Sequence, residues 1–240
     1  MTSVNFMNPD EPNFYFKGIN AMVDMDLIIE HEIPEVLPQP RIEEIEVLGR
    51  SGSLHEWHGD YSQFDLKVPD ISCPYDRLHE VKRWLRGSGK LVTHNDSDKY
   101  RIARCDMSSP IEFENQWGWM YQFDLTFKCQ PLKKRLSEPK QKLVKGTNKI
   151  INSGDEVSHP IFWIEATGGD FTLSIADRTL SVLNAKAGIV EINTEFGKVM
   201  QDEANLFKKG AWPLSIPGEN DIVLAGNVKS GIVSLEAVYL

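Results

Sequence analysis

The stretch that decides the fold is residues 42–68, which reads Ile-Glu-Glu-Ile-Glu-Val-Leu-Gly-Arg-Ser-Gly-Ser-Leu-His-Glu-Trp-His-Gly-Asp-Tyr-Ser-Gln-Phe-Asp-Leu-Lys-Val. Apolar residues recur mostly at every second position on both sides of a glycine-rich turn: Ile42, Ile45 and Val47, then Tyr61, Phe64, Leu66 and Val68. Gly49 and Gly52 bracket Arg50, and glycine adopts positive φ at little cost. The pattern predicts a long β-hairpin with one face on a core and the other polar, a shape suited to reaching over a neighbouring subunit.

Length and composition predict a soluble globular protein with two domains. The chain has 240 residues, of which 41% are hydrophobic and 25% charged, and this length can bury two modest cores. No apolar run reaches the ~18 residues of a membrane span. The N-terminal sequence lacks the basic opening and apolar core of a secretory signal, so we expect folding in a cytoplasm.

The net negative charge of the chain comes from its first half. Residues 1–130 hold 13 Lys and Arg against 22 Asp and Glu, whereas residues 131–240 hold 13 of each. An acidic surface repels nucleic acid. The alternative interpretation is that the acidity only confers solubility.

The cysteines predict buried free thiols. Cys73, Cys105 and Cys129 are three in number and show no short paired spacing. Zinc binding or redox chemistry is the less favoured alternative.

The first half reads as an antiparallel β domain with one helix. Strands are predicted at residues 14–20, 22–33, 90–93, 100–107 and 117–129, and a proline-rich connector at 34–41. The helix is predicted at 74–86, with Ser72 as its cap and Pro74 in its first turn. Its apolar face holds Leu78, Val81, Trp84 and Leu85, and its other face holds Arg77, Lys82, Arg83 and Arg86. A solvated basic face is a more common reason for such a pattern than phosphate binding.

The second half reads as an antiparallel β-sandwich. The predicted domains are 1–132, a basic linker at 133–149, and 150–240. Short strands separated by turns recur at 160–166, 171–175, 180–183, 188–193, 198–200, 212–216, 221–224 and 232–240. A turn is predicted at 167–170, where two glycines stand together, and another at 217–220.

These features in this order resemble the distal tail protein family of siphophages that infect Gram-positive bacteria. The resemblance rests on the turn at 49–52, the aromatic strand ending at Cys129, and the basic linker. In the second half it rests on Asn152-Ser153-Gly154-Asp155, His159-Pro160-Ile161-Phe162, residues 191–197 and Pro217-Gly218-Glu219-Asn220.

The resemblance implies a structural protein of the virion tail tip, present in the host cytoplasm before assembly. The N-terminal domain is expected to form a homohexameric ring that stacks on the tail tube protein, and a galectin-like C-terminal domain to project outward. The ring is expected to anchor the tail-associated spike or lysin and, in some phages, receptor-binding proteins. The family implies no catalytic residue, cofactor, metal or membrane partner, and this chain has no large insertion for an added sugar-binding module.

An acidic ring would also suit DNA passage. DNA has to move through the channel without being held, so we predict that Asp and Glu of residues 1–130 line the lumen. The predicted ring contacts are Arg50, Trp57 and Tyr61 on the hairpin and Trp117 and Trp119 on the aromatic strand; each is also a candidate core residue.

Other site chemistries are weaker. Within residues 55–60, His55 and His58 point to opposite faces of a strand, which disfavours a shared metal ion. Glu112, Glu114 and Asp124 offer the carboxylates of a glycosidase, but the sequence locates no cleft. The main alternative function is a carbohydrate-binding module that attaches to the host wall, with Trp212 as the exposed sugar contact and Trp163 assigned to the core.

Overall fold

The structure is a computed structural model, and it describes residues 7–8 and 10–240. Strands hold 59% of the residues and helices 6%, which confirms a mainly β protein. The residues group into two compact units, one ending at Lys133 and also including Leu240, and one running Lys134–Tyr239. Within the described residues, no helix has the length and apolar character to span a membrane.

Within the described residues, the first unit contains ten strands and one short α-helix. The strands are β1 (Phe14–Phe16), β2 (Ile19–Asn20), β3 (Ile28–Ile29), β4 (Pro40–Glu46), β5 (Ser53–Tyr61), β6 (Phe64–Pro74), β7 (Ser88–Thr93), β8 (Lys99–Cys105), β9 (Glu114–Gln116) and β10 (Met120–Cys129). The helix α1 spans Leu78–Trp84, and 3₁₀ turns occupy Tyr75–Arg77 and His94–Asp96. The main antiparallel sheet has the order β2-β1-β7-β8-β10-β6-β3, and β9 pairs with β10.

Helix α1 closes an aromatic core, as its apolar spacing predicts. Val81, Trp84 and Leu85 are buried. The Trp84 ring stacks on Phe14 at 5.7 Å between centroids, and its indole N–H donates to the Phe16 carbonyl at 2.9 Å. The predicted cap is wrong, because Ser72 belongs to β6, where it pairs with Gln122 of β10. The chain leaves β6 through a 3₁₀ turn instead of a capped first turn.

The hairpin forms as predicted, but it has no core. β4 and β5 pair with each other as a separate two-stranded sheet. Ile42, Ile45 and Val47 are 49%, 37% and 41% exposed, so the prediction that they lie on a core is wrong. A two-stranded sheet has no second layer to cover either face. Only Leu66 and Val68, which lie on β6, are buried.

The predicted aromatic strand begins later than its alternation suggests. β10 starts at Met120, and residues 116–119 form the turn from β9, closed by the Trp119 N–H donating to the Gln116 carbonyl at 3.1 Å. Trp117 has a φ of 57°, which lies outside the range of regular strand backbone. The alternation therefore describes the buried residues of β10 correctly and overextends by one turn.

The second unit is the galectin-like β-sandwich that the sequence predicts. Its strands are β11 (Lys133–Arg135, at the unit boundary), β12 (Lys140–Val144), β13 (Gly146–Asn152), β14 (Ile161–Ile175), β15 (Arg178–Asn193), β16 (Lys198–Gln201), β17 (Ala204–Asn205), β18 (Phe207–Gly210), β19 (Gly218–Ser234) and β20 (Val238–Tyr239). The main sheet has the order β12-β19-β14-β15-β16-β17, with β13 on β19 and β18 on β15. It curls around one core that includes Phe162, Ile164, Phe171, Leu173, Val190, Ile192, Leu224 and Val233.

Three strands are longer than predicted because they bend instead of turning. The predicted turn at 167–170 lies inside β14, where the register with β15 shifts between Gly169 and Phe171, so that prediction is wrong. Gly168 and Gly169 have φ of 101° and 105°, which gives a bulge and a bend. The turn predicted at 217–220 is also wrong from Gly218 onward, which belongs to β19.

Two further stretches differ from the sequence pattern. Residues 212–216 form only an isolated bridge between Ser215 and Ser158. In the basic stretch 133–149, β12 and the start of β13 both pair with β19. Charge and weak periodicity suggest a linker there, but edge strands of a sandwich are also often charged.

Candidate assembly surfaces

The hairpin β4–β5 is the first candidate surface. Its apolar residues Ile42, Leu54 and Trp57 are 49%, 41% and 50% exposed. An isolated two-stranded hairpin is marginally stable in water, and apolar groups clustered on it mark an interaction site.

The register gives the hairpin two different faces. Ile42 lies directly opposite Trp57 on one face, where Trp57 contacts Tyr61 edge-on at 5.8 Å between ring centroids. On the other face Glu43 lies opposite Glu56, and Ile45 lies opposite Leu54. We call Glu43, Ile45, Leu54 and Glu56 the glutamate face. Like charges directly opposite each other destabilise a hairpin.

One group on the glutamate face has the residue types of a metal site. Ligand atoms of Glu43, Glu56 and His58 lie within 4.8 Å of one another, and all three residues are exposed. His55 bonds to the Ser53 hydroxyl at 3.1 Å on the opposite face. The two carboxylates of this group give it a negative charge that favours cations in general, including a partner's Lys or Arg.

A tryptophan turn, residues 116–119, is the second candidate surface. Trp117 and Trp119 are 94% and 83% exposed. The turn is held rigid from within, because the Gly118 N–H donates to the Asn115 side chain at 2.8 Å and the Trp119 carbonyl accepts from the Tyr75 N–H at 3.2 Å. Exposed tryptophans on a fixed turn are typical of interface anchors.

None of the five predicted ring contacts belongs to a core. Arg50, Trp57, Trp117 and Trp119 are exposed and Tyr61 is half-buried, so the alternative of core packing is excluded for them. Their part in a ring stays a prediction.

A groove beside α1 is the third candidate surface, and sequence reasoning missed it. It has a volume of about 410 Å³. Its apolar lining comes from Leu85, Met107, Pro110, Ile111 and Phe113, and its charges from Lys82 and Arg86. The Lys82 ammonium lies 4.8 Å from the centre of the Phe113 ring. We call this the basic groove; the basic face of the predicted helix was the sequence signal for it.

An acidic cleft of about 420 Å³ borders the basic groove, since Ser109, Pro110 and Ile111 line both. Asp70, Asp106, Glu112, Glu114 and Asp124 are among the residues that line it. The structure thus brings together the three carboxylates considered for glycan hydrolysis, which the sequence could not place in a cleft. Glycosidases separate an acid in an apolar environment from an ionised carboxylate, whereas here Ser108 hydrogen bonds hold the pKa of Asp106 below its ordinary value. The cleft is suited to repelling phosphate.

A partly buried ionic network ties the segment before β4 to the sheet, and isolated charges were its only signal in the sequence. Glu35 accepts from Arg101 at 2.8 Å and from Lys133 at 2.9 Å. Lys133 also contacts Asp96 at 2.9 Å. Burial raises the pKa of Glu35, but the hydrogen bonds from Lys133 and Arg101 outweigh it and lower the pKa below 4.5. The network fixes the base of the hairpin.

The two candidate sugar-stacking tryptophans are each covered by a lysine. Trp163, predicted as core, is half-buried, and its indole N–H donates to Glu191 at 3.1 Å; the Lys140 ammonium lies 4.2 Å from the ring centre. Trp212 packs against the sandwich core, with the Lys208 ammonium 3.4 Å from its ring centre. Both rings therefore have a face occupied by their own chain.

The prediction of buried free thiols is confirmed. All three cysteines are free and buried. Burial raises the pKa of Cys73 to about 11 and that of Cys105 and Cys129 to about 12. Thiols of this kind are unreactive at neutral pH.

Comparison with known proteins gives one informative similarity. No protein-family model and no curated protein matches the chain. Among solved structures, it is similar to SPP1 Dit (gp 19.1), described as a paradigm of the hub adsorption apparatus in phages that infect Gram-positive bacteria. The TM-score is 0.72, the match covers 92% of this chain and 97% of that chain, and 14% of the residues are identical. The chain therefore has a Dit-like fold over nearly its whole length.

Proposed function

We propose that the protein is a structural hub of a bacteriophage tail tip. Six copies form a ring that joins the tail tube to the spike or lysin and to the receptor-binding apparatus, and DNA passes through its centre. The observation that carries this proposal is the similarity in fold to SPP1 Dit, which spans both units. A fold alone does not specify function, so the exposed surfaces have to supply the rest of the argument.

The exposed surfaces favour assembly over catalysis. The hairpin and the tryptophan turn expose large apolar side chains, and this exposure does not stabilise a monomer. Both lie in the first unit, where the resemblance puts the ring. Arg50, Trp57, Tyr61, Trp117 and Trp119 remain the proposed contacts between neighbours.

The acidic cleft supports the proposed channel. Five carboxylates gathered on one surface of the first unit would form a repeated negative belt in a six-fold ring. Such a surface repels DNA phosphates, so the DNA would pass through the channel without being bound.

Negative-stain imaging of the purified protein tests the proposal. We expect ring-shaped particles with a central opening and six repeats. Compact particles without an opening, at concentrations where the protein is oligomeric, would refute the hub.

The alternative function that the sequence suggests is sugar binding, with Trp212 as the residue that contacts the sugar. It predicts saturable binding of the protein to host wall glycan that Trp212→Ala abolishes. If the hub proposal is correct, any glycan retention is unchanged by Trp212→Ala.

A further inference from the structure

We propose that the glutamate face of the hairpin docks into the basic groove of a second copy of this chain. The inference rests on the proposed function, since a ring needs a repeated contact between neighbours, and it names the two surfaces that meet.

The basic groove offers an apolar floor with two free cations at its edge. Met107 is 52% exposed, and Ile111 and Phe113 are half-buried beside it. Lys82 and Arg86 are exposed, and among the described residues no carboxylate lies within ion-pair distance of either cation. The groove therefore fits an occupant that is apolar in the middle and negatively charged.

The glutamate face has this composition. Glu43 and Glu56 form no ion pair within the described part of the chain, and they lie directly opposite each other. Their repulsion is unfavourable in the free protein and is relieved when cations approach. Ile45 and Leu54, which are 37% and 41% exposed, supply the apolar part.

Both surfaces place two like charges beside apolar side chains. Lys82 lies in the last turn of α1 and Arg86 lies two residues beyond its end, and both line the groove together with Ile111 and Phe113. Glu43 and Glu56 are separated by one strand spacing of about 5 Å. The apolar pair lies two residues further along the hairpin, roughly 7 Å away, so charged and apolar side chains are neighbours on both surfaces.

The occupant is a second copy because the chain leaves both surfaces open. Within the described residues the hairpin pairs only with itself, and all of β4 and most of β5 are exposed. A contact between two different surfaces of identical chains is heterologous, and such contacts close into a ring or continue as a filament. The same contact repeated around an axis gives the ring proposed above.

Cross-linking between subunits tests the docking. One variant carries Leu54→Cys in the glutamate face and the other carries Met107→Cys in the groove. The native thiols are buried with a raised pKa, so they do not compete for a short bis-maleimide. A mixture of the two variants is expected to give a covalent dimer, and neither variant alone is expected to give one.

Charge reversal supplies the specificity control. We expect Glu43→Lys with Glu56→Lys, or Lys82→Glu with Arg86→Glu, to lower the cross-linking yield at least tenfold when introduced in one subunit. Combining both reversals should restore it. Arg178→Glu with Lys209→Glu, exposed residues of the second unit, makes a charge change of equal size and should leave the yield unchanged. Thermal unfolding of each variant confirms that it is folded.

The outcomes separate this inference from the proposed function. If the protein forms oligomers but gives no cross-link, or if Met107→Cys alone is cross-linked, the docking proposal is wrong and the proposed ring is unaffected. A protein that is monomeric by light scattering and gives no cross-link overturns the docking and contradicts the ring as well.

Discussion

Trp117 occupies a backbone position that favours glycine. Its φ is 57° and its side chain is 94% exposed. A large side chain in the left-handed region costs about 1 kcal/mol, and an exposed indole returns no packing energy in the monomer. We interpret this combination as a residue kept for an intermolecular contact.

Trp117→Gly therefore separates folding from assembly. We expect the free energy of unfolding to stay within about 1 kcal/mol, because relief of the strained φ offsets the larger unfolded-state entropy of glycine. The particle mass measured by light scattering should fall at a given concentration. Phe207→Ala, at a residue 80% exposed in the second unit, is the control. Equal assembly in both variants would contradict the assignment of Trp117.

Asp96 is a carboxyl whose charge we expect to stabilise the fold. Burial raises its pKa, but hydrogen bonds from Lys99 and Lys133 outweigh this and lower the pKa from 3.8 to about 2. A carboxyl with a depressed folded-state pKa stabilises the protein above its unfolded pKa and loses this contribution as the pH falls through the folded value. The stabilisation is thus complete above about pH 4 and is lost between about pH 4 and 2.

Asp96→Asn should reduce the free energy of unfolding at pH 7 by on the order of 2 kcal/mol and flatten its decline between pH 4 and 2. Urea titrations at a series of pH values measure both effects. Glu219→Gln is the control, because Glu219 also pairs with a lysine, Lys149, but is 61% exposed, and surface pairs contribute little. An unchanged acid slope in Asp96→Asn would show that the network is not coupled to folding.

At the scale of elements, glycine bends shape the second unit. Gly226 has a φ of 93°, and a Cβ there would lie 2.8 Å from the Asp170 carbonyl oxygen and from the Phe171 Cα. β14 and β19 therefore approach too closely for any side chain at this bend. The three long strands depend on such positions to curl around one core.

Gly226→Ala should lower the free energy of unfolding by roughly 3 kcal/mol, through strain and backbone overlap together. Gly218→Ala is the matched control: its φ is 87°, but nothing lies within 4 Å of the added Cβ, so we expect only about 1 kcal/mol. Chemical denaturation of the two variants gives the comparison. Equal losses would mean that the close approach at the bend does not matter.

The sequence predicts some elements well and others poorly. Alternation identifies β10, where Phe123, Leu125 and Phe127 face one core, and helical spacing identifies α1. Local sequence signals fail where the structure depends on pairing between strands that are distant in the sequence. Two glycines at 168–169 give the same local pattern in a turn and in a bulge, and only the register with β15 distinguishes them.

The hairpin shows a different limit. Its alternation is real, but periodicity reports only that a strand has two unlike faces, not that either face is covered. Ile45 lies opposite Leu54 on a surface that nothing in the monomer buries. The basic groove was hidden for a similar reason, because Lys82 and Phe113 are brought together by the fold and are 31 residues apart in the sequence.

At the scale of the whole molecule, the exposed surfaces of the first unit all favour assembly. Within the described residues, the exposed tryptophans, the acidic hairpin face and the basic groove each lack a partner in the monomer, and the fold is similar to that of SPP1 Dit over nearly the whole chain. The candidate ring residues could be named from the sequence because exposed aromatics and arginine are typical of interfaces. Their partners could not, because these lie on another copy.

The hexameric hub is tested by the mass of the purified protein in solution, measured by light scattering over a concentration series. We predict a mass that rises with concentration to a plateau at six times 27.3 kDa. A mass that stays at 27.3 kDa across the series, or a plateau at a dimer, would contradict the hexameric hub.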